Sequence, residues 1–476
     1  MNIEVPVLDA RNIYFKYPRG GPVLRGVNLT VLRREHVLIV GDTGSGKTTL
    51  TRILTKMGTL IYEGELSGTI RILGRRIEDI DINELTRLVH VIGQNPYSYF
   101  TEPLVREDLL NYALRVHGSQ ERAERAVKKV IEATGVHELL DRYFYELSGG
   151  EARRVLVAKT LVSDPILLLF DEPLMWLDDS GVNEFLDLLG LLRRLGKSVI
   201  IFEHRFLPVI RGVDRVYLLE RGVLRDVTEL ALKLIKMRLN PVSELAVKRT
   251  STGRTVLELQ RVCYSYGSNP VLRGVNLEVR EADSVLIYGL NGSGKTTLLK
   301  VIAGYLKPRE GTVKRYYEVM YIPQNIILFY TEETVEKELR EICKARKRGE
   351  ACISEGKERI KALGVDLQQS PFNLSHGQMV KLSVVLAQTA GAKILLIDEP
   401  FSGLTYSDRV KLLEYLKDSV NTFIVTTSTL DAYQRGVWTK TYKLENGLLA
   451  ELSGSSKYPL QYAAQFYEAL KHGISY

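Results

Sequence analysis

HVLIVGDTGSGKTTL, residues 36–50, is a short apolar run that breaks into a loop with glycines at 41, 44 and 46 and ends on Lys-Thr-Thr. Such a run suits a buried strand, and Gly41, Gly44 and Gly46 let backbone N–H groups converge on phosphate oxygens at the start of a helix. Lys47 would neutralise β- and γ-phosphates and Thr48 would offer its hydroxyl to Mg²⁺, with Ser45 and Thr49 completing the cradle. Strand, glycine loop and helix in that order predict a phosphate-binding α/β domain.

The same order returns at residues 284–299, SVLIYGLNGSGKTTLL, with Gly289, Gly292, Ser293, Gly294, Lys295, Thr296 and Thr297 in the matching places. Lys295 lies 248 positions after Lys47, and VLRGVNL at 23–29 recurs at 271–277 with the same offset. Further on, ILLLFDEP around Asp171 is answered by ILLIDEP around Asp398, and LSGGE at Ser148 by LSHGQ at Ser375, both 227 positions later. A chain of 476 residues exceeds one ordinary core, and the repeat divides it into two copies of one machine. The expected boundaries are 1–227 for the first domain, 228–254 for a linker, 255–453 for the second domain and 454–476 for a tail.

Apolar Val/Ile/Leu runs alternate with helical patterns at Gln120–Thr134 and Gly181–Leu195, which is α/β patterning. RVYLLERGVL and KTYKLENGLL predict matching hairpins turning on Arg-Gly and Asn-Gly. ELALKLIKMRL in the linker and LQYAAQFYEALKHG in the tail predict helices, with Pro241 interrupting the linker and Pro459 opening the tail helix. The balance of 45% hydrophobic and 26% charged residues fits folded globular cores and excludes disorder. No apolar stretch approaches the length that spans a bilayer, so a membrane role would be borrowed from a partner. Cys263, Cys343 and Cys352 lack metal-site spacing and are expected to be inert thiols in a reducing cytosol. A net charge of +8 chooses no partner by itself.

Asp171 and Asp398 end apolar runs, which places each at the carboxyl end of a buried strand where it can hold a Mg²⁺ shell; Glu172 and Glu399 follow as candidate general bases. LSGGE and LSHGQ precede helical patterns and read as helix N-termini whose serines cap or touch an anion. With these elements in this order, the sequence resembles the ATP-binding cassette (ABC) family across nearly all of both halves. The resemblance implies two tandem P-loop NTPase domains, each a mainly parallel core sheet with an antiparallel β subdomain and a helical signature subdomain. It also implies ATP and Mg²⁺ as ligands and two composite sites. The first would use Lys47, Thr48, Asp171 and Glu172 with Ser375 and Gly377; the second would use Lys295, Thr296, Asp398 and Glu399 with Ser148, Gly149 and Gly150. Gln94 in VIGQNP and Gln324 in YIPQN match the family's Mg²⁺-sensing glutamine, and Tyr17 and Tyr266 its adenine-stacking aromatic, although both tyrosines also read as half-buried strand residues.

The two copies differ. His204 in SVIIFEHR matches a histidine that contacts the γ-phosphate and orients water, whereas its counterpart in FIVTTST is Ser428, which reaches less far. Asp178 is likewise matched by Thr405. His376 replaces the first signature glycine and reads as a solvated cap residue ahead of a phosphate ligand. The balance makes the Glu172/His204 site the main hydrolytic one.

EGELSGTIRILGRRI, QNPYSYFTEPLVREDL and the EHR segment resemble the ATPase component of energy-coupling factor importers. That resemblance implies peripheral attachment to the cytoplasmic face of the membrane. It also implies a transmembrane coupling protein docked near Gln94–Leu110 and Gln324–Leu339, a membrane substrate-binding protein for a vitamin or metal ion, and no nucleic acid or further homo-oligomer. Tyr97, Tyr99 and Phe100 read equally as exposed anchors or as packed loop interior. The alternative is a soluble tandem cassette ATPase acting on the ribosome, a group similar in LSGGE and in the basic balance but distinguished by a long charged helical linker.

Overall fold

The computed structural model describes residues 5–175, 177–237, 253–432, 437–452 and 460–472. Pro241, Pro459 and the first two residues of STGRT lie outside the described residues. The chain divides into two units: Met1–Leu239 together with Phe466–Tyr476, and Asn240–Gln465. The tail from Phe466 onward therefore groups with the first cassette.

In the first unit, strands Leu8–Lys16, Pro22–Val31, Glu65–Ile72 and Arg75–Arg76 form an antiparallel sheet. A second, six-stranded sheet runs in the order Val223–Asp226, Arg215–Glu220, His36–Val40, Ser198–Glu203, Leu167–Asp171, Val89–Ile92. Five of its strands are parallel and only the edge strand Val223–Asp226 is antiparallel. The second unit repeats both sheets, with Ser284–Tyr288 central and Thr422–Thr427, Ile394–Asp398 and Val319–Ile322 following outward on one side. The central strands are buried at every position, the condition that makes them read as unbroken apolar runs.

The VLRGVNL repeat forms part of the strands Pro22–Val31 and Asn269–Arg280, where Leu24, Val27 and Leu29, and their counterparts Leu272, Val275 and Leu277, are buried. Its first residues pack beneath the phosphate loops: a Cβ on Gly46 would lie 2.9 Å from Leu24, and one on Gly294 2.8 Å from Val271. The apolar residues of the repeat recur because the same floor supports the same loop twice.

Helices form at Gln120–Thr134 as the periodicity predicts, and at Asp179–Arg194, two residues earlier at its start than the pattern indicates. Both hairpins form with their turn pairs at positive φ, Arg221 and Gly222 at 48° and 80°, Asn446 and Gly447 at 50° and 79°. The linker pattern is a helix at Thr228–Met237 and the tail pattern a helix at Leu460–His472. Among the described residues no helix is long and apolar enough to cross a membrane.

The cysteine expectation needs correction. Cys343 and Cys352 are not inert thiols but a disulfide joining the helices Val335–Ala345 and Gly349–Ala362, with Cα atoms 5.9 Å apart. Antiparallel packing of those helices brings the two buried side chains together; Cys263 is free.

Candidate functional site

The strand order of the parallel sheets explains how the site residues meet. In the first unit His36–Val40, Ser198–Glu203, Leu167–Asp171 and Val89–Ile92 are successive neighbours, so their carboxyl ends deliver the phosphate loop, His204, Asp171 with Glu172, and Gln94 to one edge. The second unit delivers Lys295, Ser428, Asp398 with Glu399, and Gln324 in the same way.

Both loops have the form of an anion cradle. The helices begin at Lys47 and Lys295, directly after Gly46 and Gly294 at φ of 110° and 100°. Above Gly44 and Gly292 no atom comes within 4 Å of where a Cβ would be, so the backbone there faces open space. Lys47 Nζ donates to the carbonyls of Gly41 and Asp42 at 2.7 and 3.0 Å, and Lys295 does the same to Gly289 and Leu290. The hydroxyls of Ser45 and Ser293 are buried without a hydrogen-bond partner. An orphaned hydroxyl, a lysine folded onto its own loop and an open cradle fit a phosphate group.

The carboxylates differ between the units. Asp171 is buried, and its Oδ1 has no partner. Burial pushes its carboxyl up to about 6; the charge of Glu172 adds to this, while Lys47 and a bond from the Thr48 hydroxyl hold it down. An unsatisfied carboxylate oxygen beside a threonine hydroxyl is the donor set a Mg²⁺ ion would take from this chain. In the second unit Asp398 is already satisfied: Thr296 and Tyr321 donate to Oδ2 at 2.7 and 3.0 Å, and Thr426 to Oδ1 at 2.6 Å. Tyr321 was not singled out in the sequence; its place in the first unit belongs to Val91, which has no hydroxyl to offer.

Glu172 and Glu399 both sit at positive φ, 49° and 48°, unusual for a non-glycine residue and consistent with a site that overrides local preference. Glu172 Oε1 lies 3.4 Å from His204 Nδ1 and 3.7 Å from Lys47 Nζ, and Gln94 Nε2 donates to Oε2 at 3.1 Å. Burial works to raise the Glu172 carboxyl, but His204 and Lys47 outweigh it and hold it below the ordinary carboxylate range. Glu399 goes the other way. Burial raises its carboxyl despite Lys295 at 3.3 Å, and Oε2 is occupied by the backbone N–H and hydroxyl of Ser428 at 2.9 and 3.2 Å. Glu172 is thus a carboxylate held below its ordinary range beside an imidazole, whereas Glu399 is a buried, hydrogen-bonded carboxyl.

Glu203, the first residue of the EHR segment and given no role of its own in the sequence, holds the turn that carries His204. Its buried carboxylate accepts from the backbone N–H groups of Leu174, His204 and Arg205, each at 2.9 Å, and lies 3.4 Å from His204 Nδ1. This fixes the turn that carries the histidine. The counterpart, Thr427, caps its own turn by accepting from Thr429 N at 3.2 Å.

The remaining expectations resolve as follows. Ser148 and Ser375 each cap a helix through a reciprocal capping box with Glu151 and Gln378, leaving both N-termini exposed with Gly149, Gly150 and Gly377 in the first turn. His376 is not the solvated cap residue its position suggests: its ring is half-buried with Nε2 unpartnered, and burial lowers its basicity against a bond to the Pro400 backbone. Asp178 and Thr405 each cap the following helix, through Gly181 N at 2.8 Å and Asp408 N at 3.2 Å, so the two share that role despite the difference in residue type. The Tyr17 hydroxyl bonds Thr49 at 3.1 Å and accepts from Arg52 at 2.9 Å, with its ring edge-on to Phe15 and Tyr62; Tyr266 is half exposed. Tyr97 and Phe100 are partly buried, Tyr97 donating to the Leu147 carbonyl at 2.7 Å and Phe100 stacking on Phe144 at 5.4 Å, whereas Tyr99 is 36% exposed with its hydroxyl accepting from the Gly93 N–H at 3.1 Å, so this loop is packed in part and exposed in part. In the second unit a cavity of about 720 Å³ runs from Thr296 and Asp398 past Tyr321 and Gln324 to Leu328, which is 73% exposed, with Ile327 beside it at 52%.

Two phosphate loops with strand-end carboxylates on parallel sheets define a tandem P-loop ATPase. Residues 24–175 and 272–402 each match the family described as ABC transporter, more than half of the chain, and the protein belongs to that family of ATP-hydrolysing cassettes. A protein of Sulfurisphaera tokodaii described as an ABC transporter ATP-binding protein is 31% identical over 470 residues, covering 94% of this chain and 98% of its own. One from Treponema denticola with the same description is 27% identical over 482 residues, covering 94% and 98%. Among solved structures, a chain of the ribosome-bound archaeal Pelota and ABCE1 assembly aligns with a TM-score of 0.62 at 22% identity, covering 96% of this chain and 80% of that one, a likeness of fold.

Proposed function

We propose that this protein is the ATPase subunit of a membrane importer of the energy-coupling factor type, acting at the cytoplasmic face through a transmembrane partner. The observation that carries the reading is the exposed apolar pair Ile327 and Leu328, of which Leu328 lines the same cavity as Gln324, Thr296 and Asp398. A partner seated there would sense the Mg²⁺ shell through Gln324, which links nucleotide state to movement. The corresponding positions in the first cassette, Tyr97 and Ser98, expose no comparable apolar surface, so docking is stronger on the second cassette. The description of the relatives as ABC transporter ATP-binding proteins supports this reading.

Hydrolysis is assigned mainly to the first site. Mg²⁺, when bound, supplies positive charge against the phosphates. Lys47 binds the β- and γ-phosphates, Asp171 and Thr48 hold the ion, His204 orients water, and Glu172 accepts its proton at the carboxylate. At the second site Lys295, Thr296, Asp398 and Gln324 bind nucleotide while Glu399 turns over slowly. Tyr17 and Tyr266 each stack on the adenine of their own cassette's nucleotide, and Ser148 and Ser375 contribute the signature hydroxyls. Replacing Ile327 and Leu328 together by Glu is expected to release the protein from membranes of its own cells with ATP binding intact. Retained membrane association, or co-sedimentation of the parent with ribosomal subunits, overturns the reading.

A further inference from the structure

The tail helix reaches the first phosphate loop. Phe466, Tyr467 and Leu470 are buried, and the rings of Phe466 and Tyr467 lie 5.7 and 6.0 Å from Phe206, two residues beyond His204. Arg225 donates to the carbonyl of Lys471 at 3.1 Å and so anchors the end of the helix. The Lys471 ammonium then lies 4.4 Å over the Tyr467 ring and donates to Asp42 Oδ2 at 2.8 Å, with only 13% of its side chain exposed. Asp42 is the second residue of GDTGSGKT, and its carbonyl also accepts from Lys47.

A carboxylate in that position opposes what the loop is built to do. The backbone N–H groups, the helix N-terminus and Lys47 collect positive potential for a polyanion, and a negative side chain on the same loop subtracts from it. The second cassette has no such conflict, because Leu290 occupies the matching place. We propose that the tail helix is a positioning element for the first nucleotide site, in which Lys471 cancels the Asp42 carboxylate and holds the loop open to triphosphate. The tail then sets nucleotide affinity at one cassette and not at the other. The anchoring on Phe206 ties the same helix to the segment that carries His204, so tail docking and the arrangement of the first site are coupled.

This inference rests on residues 41–49 binding ATP, and the test separates the two claims. The full chain carrying Lys295→Ala, so that only the first loop reports, is titrated calorimetrically with ATP in the absence of divalent ions. Lys471→Met should weaken binding by about three- to tenfold at low salt, the effect shrinking at about 0.5 M salt as screening removes the Asp42 repulsion. Lys471→Arg should restore affinity, and adding Asp42→Leu to Lys471→Met should remove the loss, which mere undocking of a helix would not allow. Parent-like binding by Lys471→Met, or an equal loss with and without Asp42→Leu, overturns the inference. Unchanged ATP binding after Lys47→Ala overturns instead the assignment of the site beneath it.

Discussion

Replacing Glu172 by Gln is expected to reduce ATP turnover far more than replacing Glu399 by Gln. The substitution keeps the shape of the side chain and removes the charge that His204 at 3.4 Å and Lys47 at 3.7 Å hold in place. A positioned general base contributes at least about a hundredfold, so removing an ionised Glu172 should raise the barrier by about 2.7 kcal/mol or more. Glu399 starts from a different state: burial pushes its carboxyl up, and Ser428 occupies Oε2 with two donors. With Oε2 already taken by two donors, that carboxyl is poorly placed to accept a proton from water, and Glu399→Gln should cost less than about threefold in total turnover. The assay is phosphate release by the full chain at saturating Mg-ATP, with nucleotide binding measured on the same preparations. Equal losses, or a larger loss from Glu399→Gln, would refute the reasoning that links carboxyl environment to catalytic role.

Two further outcomes follow from buried groups. Asp171→Asn should stabilise the nucleotide-free protein at about pH 7.5, because a carboxyl raised from its ordinary value to about 6 opposes folding once it is ionised. That opposition is absent below about pH 4 and complete above about pH 6, so the gain, at most about 3 kcal/mol, should vanish in acid. Thermal melts across that range check the sign, and a gain that persists at low pH would contradict it. Cys343→Ser with Cys352→Ser should lower the stability of the second cassette by about 2.5 kcal/mol, the chain entropy of a loop spanning nine positions, with phosphate release largely retained. Denaturant unfolding measures this, and an unchanged midpoint would show that the disulfide adds nothing.

The two phosphate loops, the strand-end carboxylates, the capping serines and both hairpins were legible because each depends on residues near one another in sequence. Glycine spacing declares a cradle, an apolar run declares a buried strand, and Arg-Gly or Asn-Gly declares a turn. What escaped depends on residues brought together by the sheet order or by packing. Glu203 is silent as a letter beside His204, and only the turn it closes onto Leu174 shows its work. Tyr321 meets Asp398 because Val319–Ile322 and Ile394–Asp398 are parallel neighbours. Cys343 and Cys352 pair only once two helices lie side by side, and Lys471 reaches Asp42 across 429 positions. Asp178 and Thr405 illustrate the converse, since different letters share one capping role.

The central claim is that this pair of cassettes drives a membrane partner. The most direct measurement is affinity purification of the tagged Glu172→Gln protein with ATP from mild-detergent extracts of its own cells, followed by mass spectrometry. The account predicts small polytopic membrane proteins in stoichiometric amounts, lost when Ile327 and Leu328 are replaced by Glu. Recovery of ribosomal subunits in their place would contradict it.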